Sequence, residues 1–95
     1  MDVSPIIFRV HALQRMFERG VTQEDVRHVL ATGETIERYP DDQPYPSRLI
    51  LGWAGNRPLH VLVADNEAEG TIIVTTVYEP GPDLWEEDFR KGRRR

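Results

Sequence analysis

The sequence predicts an α+β domain in which two N-terminal helices pack on a four-stranded antiparallel sheet, followed by a short C-terminal helix. Three observations lead to this fold class. Apolar residues recur at helical spacing in the first third of the chain, the apolar period then changes to two, and clusters of turn residues separate the segments. Helices and strands segregated along the chain in this way are typical of α+β architecture.

The first two segments are predicted to be amphipathic helices. The first spans residues 8–19 and ends at Gly20, and we expect Leu13, Met16 and Phe17, which continue the apolar spacing begun at Val10, to face the core. Thr22 and Asp25 have the spacing of a capping box, in which each side chain bonds the backbone N–H of the other residue. A second helix therefore begins there, and Gly33 marks its exit because glycine is favoured just past a helix C-terminus.

Four strands are predicted in the middle of the chain, at residues 35–39, 48–54, 58–65 and 71–79. The segment 40–46 contains three prolines, so we expect an exposed loop there. Turn residues at 55–56 and 66–70 make the later strands a meander. Residues 84–90 are predicted to form the last helix, and residues 91–95 a flexible basic tail.

The length and composition indicate one domain, residues 1–95, in the cytoplasm. No apolar run approaches the roughly 18 residues of a membrane span, and the first residues lack the basic and apolar regions of a secretory leader. The chain has no cysteine, which excludes disulfides and thiolate metal sites. A core this small would gain stability from a bound partner or from forming a homodimer.

The charge is unevenly distributed. Residues 1–89 contain seven arginines and sixteen carboxylates, a net charge of −9, whereas the last six residues contain five of the twelve basic side chains. A strongly acidic body is a poor non-specific binder of nucleic acid. Any phosphate must therefore be bound at one local site.

The strongest candidate site is a row of side chains on the first predicted helix. His11, Arg15 and Arg19 are spaced i, i+4 and i+8, so they lie along one helix face. Guanidinium groups that hold a phosphate, together with a histidine that moves a proton, suit phosphodiester chemistry. The alternative is a solvated face on which Glu18 and other carboxylates neutralise the arginines, and composition alone favours this alternative.

Other candidates lie in the predicted strands. His60 alternates with apolar neighbours, so it either points to solvent or meets the helices, and Tyr78 at the end of the last strand could bond a phosphate or transfer a proton. A structural role is the more common one for such residues. Arg48 and Arg57 frame the first hairpin and could add positive charge. The three histidines lack the spacing of metal ligands, so we expect no metal and no cofactor.

The opening segment HALQRMFERGVT, residues 11–22, resembles the DUF4258 family of small bacterial proteins, and the resemblance continues through residues 57–61 and 74–80. This resemblance implies two N-terminal helices against a curved antiparallel sheet and a distant similarity to the RelE, ParE and BrnT toxins. The chain would then be the toxin of a toxin–antitoxin pair, acting on RNA as a metal-independent endoribonuclease and binding a cognate antitoxin protein.

Under that hypothesis the RNA 2′-hydroxyl attacks the adjacent phosphorus, a reaction that needs a base, an acid and cationic support. His11 or His60 would be the base or acid, and Tyr78 could supply a proton. Arg15 and Arg19 would hold the phosphate. The acidic body fits this reaction better if the substrate is bound in a narrow basic groove. It also fits a different hypothesis, a non-catalytic interaction module in which the same arginines bind an acidic segment of a partner.

Overall fold

The computed structural model describes residues 5–81 and residue 89. Its elements, in chain order, are β1 (Ile6–Phe8), α1 (Val10–Arg19), α2 (Gln23–Thr32), β2 (Glu34–Tyr39), β3 (Ser47–Ala54), β4 (Arg57–Asn66) and β5 (Thr71–Tyr78). The five strands form one sheet in the order β1-β5-β4-β3-β2. β1 runs parallel to β5, and every other neighbouring pair is antiparallel. None of the helices described has both the length and the apolar character needed to cross a membrane.

The prediction of a four-stranded antiparallel sheet was wrong, because the sheet has five strands and is mixed, although the helices and sheet are of the α+β class. The missing element is β1, which pairs Ile6 with Ile72 and Phe8 with Val74. Phe8 therefore belongs to a strand and does not begin the first helix. The predicted C-terminal helix at 84–90 and the basic tail at 91–95 lie outside the described residues, except for Phe89.

Local interactions fix the two helices at the predicted junction. Gly20 ends α1 with a left-handed backbone, φ 66°, which glycine adopts without steric cost. The predicted capping box is confirmed, since the Thr22 N–H donates to Asp25 Oδ2 and the Asp25 N–H donates to Thr22 Oγ1, both at 3.0 Å. α2 then ends at Gly33, as predicted.

The main core lies between the two helices and one face of the sheet. The buried residues that form it are Ala12, Met16, Val21, Val26, Val29, Ile50, Leu59, Val61, Val63, Val74 and Val77. α1 packs over β5 and α2 over β3. The approach of α2 is close, because a Cβ at Gly52 would lie 2.7 Å from Val29 Cγ1.

The opposite face of the sheet is also largely buried. Side chains alternate along each strand, and the register pairs Leu49 with Leu62 and Leu51 with His60 on the face that the helices do not cover. Leu49, Leu51 and His60 are nevertheless buried. The sheet therefore has a buried layer on each face, and the candidate residues of α1 lie on one side of the sheet while His60 and Tyr78 lie on the other.

Candidate functional site

The inward face of α1 is narrower than its sequence suggests. Ala12 and Met16, one helical turn apart, are its buried residues, and Leu13 is partly buried. Phe17 is 88% exposed and Val10 is 71% exposed, so the prediction that Phe17 faces the core was wrong. At about 100° per residue, Phe17 lies about 140° around the helix from Ala12, so the rotation that buries Ala12 and Met16 turns Phe17 outward.

Val10, Leu13 and Phe17 form an apolar row along α1, in which Val10 and Phe17 are exposed and Leu13 is partly buried. With Gln14 and Glu18 they line an open concavity of about 510 Å³. Single exposed apolar side chains are ordinary on protein surfaces, whereas a continuous row is typical of an interaction site. Val10 and Phe17 are thus apolar residues of α1 that the core does not use.

His11, Arg15 and Arg19 form a cationic row on the same helix, and all three are exposed, as the predicted helix face implies. Arg15 lies 3.6 Å from Glu18, and both side chains are largely exposed, so this ion pair is weak. The cationic row therefore keeps a positive character on an otherwise acidic chain. Around the helix the cationic row and the apolar row lie on opposite flanks of α1, with Gln14 and Glu18 between them, and Phe17 is about 160° from both Arg15 and Arg19.

His60 and Tyr78 meet on the sheet face opposite the helices. They are paired in register on β4 and β5, and His60 Nδ1 lies 2.9 Å from the Tyr78 hydroxyl. The other ring nitrogen, Nε2, lies 2.8 Å from the Phe89 carbonyl oxygen. A carbonyl only accepts, so Nε2 carries the proton and Nδ1 accepts from Tyr78. His60 thus points neither to solvent nor to the helices.

The environment of this pair favours its neutral forms. Burial lowers the pKa of His60, and the Phe89 carbonyl and the charge of Glu37 oppose this effect. Burial also raises the pKa of Tyr78, with a further contribution from Glu37. The Tyr39 hydroxyl donates to Glu37 Oε1, and this hydrogen bond is the main cause that raises the pKa of Tyr39 to about 12. We call Glu37, Tyr39, His60 and Tyr78 the sheet-face cluster.

The predicted arginines of the first hairpin are engaged within the fold. Arg48 makes a two-bond ion pair with Asp65, with Nε 2.8 Å and Nη2 3.1 Å from its carboxylate oxygens. Arg57 donates to the carbonyls of Arg19 at 2.9 Å and Gly20 at 3.3 Å, and lies 3.5 Å from Glu79. Arg57 therefore ties the end of α1 to β4, and neither arginine presents a free guanidinium group.

The sheet separates the two groups of candidate residues. His11, Arg15 and Arg19 lie on the helix layer, whereas His60 and Tyr78 lie on the other face. Sequence reasoning missed Glu37 and Tyr39, although their i, i+2 spacing on a strand places them on one face. No cluster of three histidine, aspartate or glutamate side chains suited to a metal ion occurs within residues 5–81 and 89.

Comparison with known proteins identifies the family. Neither the curated proteins nor the solved structures contain a significant match to the chain. A family model described as a domain of unknown function, DUF4258, matches residues 8–79. The matched segment runs from the last residue of β1 to just beyond β5, so it contains both rows of α1 and the whole sheet-face cluster. The chain belongs to the DUF4258 family.

Proposed function

We propose that this protein is an interaction module whose α1 binds an acidic, amphipathic segment of a partner protein in the cytoplasm. The observation that carries the proposal is the exposure of Phe17 and Val10 on the same helix as the cationic row. Burying a large apolar side chain stabilises a complex by about 1.5–3 kcal/mol. Phe17 therefore supplies the apolar anchor of the complex, and the arginines of α1 attract and orient an acidic partner.

Charge supports an acidic partner. Residues 1–89 have a net charge of −9, whereas the cationic row of α1 is positive. An acidic segment is attracted to Arg15 and Arg19, as well as to the basic residues 90–95, and is repelled by the excess of carboxylates over the rest of the chain. A cognate antitoxin with an acidic helix is one partner that meets this description.

Three observations favour a protein ligand over RNA at α1. Arg48 and Arg57 are held in internal contacts, so they add no phosphate ligands. His60 and Tyr78 lie across the sheet from His11, so the cationic row has no second proton-transfer group from that pair. An apolar row also suits a protein side chain better than a phosphodiester.

The test is a selection of binders from a random peptide library displayed on phage, with the full chain as target. We expect acidic sequences with apolar residues at helical spacing, whose affinity falls in Phe17→Gln and in Arg15→Glu and weakens as salt is added. Ala68→Gln, in the exposed turn before β5, is the matched control and should bind as the unmodified protein does. Binders without acidic character, or equal affinity for Phe17→Gln, would contradict the proposal.

A second candidate function is metal-independent cleavage of RNA by a toxin, and the sheet-face cluster is the observation that favours it. A histidine, a carboxylate and two phenols on one sheet face could move protons without a metal. In this mechanism the 2′-hydroxyl attacks phosphorus and the 5′-oxygen leaves with a proton. His60 Nε2 would have to exchange the Phe89 carbonyl for substrate.

Inducing the chain in bacteria while following growth and transcript length tests this second candidate. Cleavage by the unmodified chain that is lost in His60→Gln and Tyr78→Phe, and retained in His11→Gln, would support it. Intact transcripts at a level of folded protein that circular dichroism verifies would exclude it. The interaction module would then be the remaining candidate function.

A further inference from the structure

We infer that the partner bound at α1 also adds an extended strand to the outer edge of β1. This inference rests on the proposed interaction function. It starts from the hydrogen bonds of β1, where the Ile72 N–H donates to the Pro5 carbonyl and the Arg9 N–H donates to the Val74 carbonyl, both at 3.0 Å. In a parallel ladder, alternate residues of a strand turn both backbone groups to the neighbour. The N–H and C=O of Ile7 therefore face β5, and those of Ile6 and Phe8 face away from the sheet.

The outward groups of β1 have no hydrogen-bond partner among the described residues. β1 is the last strand on its side of the sheet, and the side chain of Ile7 is 48% exposed. Unpaired N–H and C=O groups on an edge strand are a template for pairing with another chain. The outward backbone groups of Ile6 and Phe8 can therefore form hydrogen bonds with an added strand.

The two edges of the sheet differ in their protection. The opposite edge strand, β2, carries charged residues, among them Glu37 and Arg38, and a register irregularity between Thr35 and Glu37. Charges and bulges on an edge strand prevent pairing with other chains. β1 has no charge and no bulge, and its protection is limited to its length of three residues. This difference points to β1 as the edge that is used.

The edge of β1 is continuous with the apolar row. The chain passes from Phe8 through Arg9 directly into α1, whose first residue is Val10. A partner segment that pairs with β1 therefore reaches the apolar row within one or two residues. A second copy of this chain fits less well, because pairing two β1 strands would bring two cationic helices together, whereas an acidic segment neutralises Arg9 and the cationic row.

The test uses a peptide selected on the full chain as described above, together with amide hydrogen exchange followed by NMR. On binding, we expect exchange at Ile6 and Phe8 to slow by at least about tenfold. The Ile7 amide, already bonded to β5, is the internal control and should change little.

The outcomes separate this inference from the proposed function. A peptide that binds through Phe17 but leaves exchange at Ile6 and Phe8 unchanged overturns strand addition and leaves the interaction module intact. If no selected peptide depends on Phe17, the proposed function fails as well. Slow exchange of both amides that depends on protein concentration, without peptide, would assign the edge to a second copy and overturn the partner strand.

Discussion

Replacing Phe17 with glutamine distinguishes a role of this side chain in protein stability from a role in partner binding. The Phe17 side chain is 88% exposed, so the substitution removes little buried surface. Glutamine is also a good helix former. We therefore expect the free energy of unfolding to change by no more than about 0.5 kcal/mol, the range typical of surface substitutions.

The expected effect on partner binding is much larger. If the aromatic ring becomes fully buried in the complex, its loss costs about 1.5–3 kcal/mol. Since 1.4 kcal/mol corresponds to a tenfold change in affinity, Phe17→Gln should weaken binding by about 10- to 150-fold. Titration of a selected peptide into the two proteins measures this ratio directly.

Met16 provides the matched control, because it is the neighbouring residue on α1 and is only 2% exposed. Met16→Ala should lower the free energy of unfolding by about 2–5 kcal/mol through lost burial and a cavity. Urea denaturation followed by tryptophan fluorescence compares the variants. If Phe17→Gln were as destabilising as Met16→Ala, our description of α1 would be refuted, and unchanged affinity in a stable variant would refute the interface.

Three further predictions concern the fold around the site. Because burial holds the pKa of His60 below its ordinary value of 6.5, the unfolded chain takes up this proton first, so stability should be full above pH 6.5 and fall below it. In thermal melts across this range, the melting temperature of His60→Gln should depend less on pH than that of the unmodified protein. Gly33→Ala should cost about 1–3 kcal/mol in urea denaturation, since its Cβ would lie 2.5 Å from the Leu51 carbonyl oxygen, whereas Gly81→Ala, whose Cβ would have no described residue within 4 Å, should be neutral. Arg57→Gln should cost about 1 kcal/mol in the same assay, because the bonds to the end of α1 are lost but are partly exposed to solvent, and Arg57→Lys should recover only part of this.

The elements that could be predicted from the sequence are those with local causes. Gly20 ends α1 through its own backbone conformation, and Thr22 and Asp25 begin α2 through bonds three residues apart. The strands from β2 to β5 carry enough β-branched residues to show their period. In each case the signal lies within a few residues of the element that it specifies.

β1 could not be predicted in this way, because its cause is distant in the sequence. Three residues are too few to show a period of two, and Ile6 is held by Ile72, far along the chain. The outward direction of the Phe17 side chain likewise depends on contacts that are distant in the sequence. Its spacing fits an apolar face, but contact with β5 selects Ala12 and Met16 as the inward pair. Periodicity does not distinguish two apolar rows on one helix.

The candidate site was predicted in part. The alternation of His60 with Leu59 and Val61 predicts that it points to solvent or meets the helices, and both were wrong, because it is buried on the other face, where the register brings Tyr78 beside it. The internal partners of Arg48 and Arg57 are likewise tertiary contacts. A count of charges therefore overstated the positive groups available to a phosphate.

The way α1 is held explains why its outer face is free to act as a binding surface. Two buried residues, Ala12 and Met16, anchor it to the sheet, and Gly20 and Arg57 fix its C-terminal end. With the helix secured in this way, Phe17 contributes almost nothing to the core. An exposed phenylalanine lowers solubility and brings no folding energy in return, so a chain without a partner would gain from a polar residue at that position. The exposure of Phe17 therefore argues for a binding role and against a structural one.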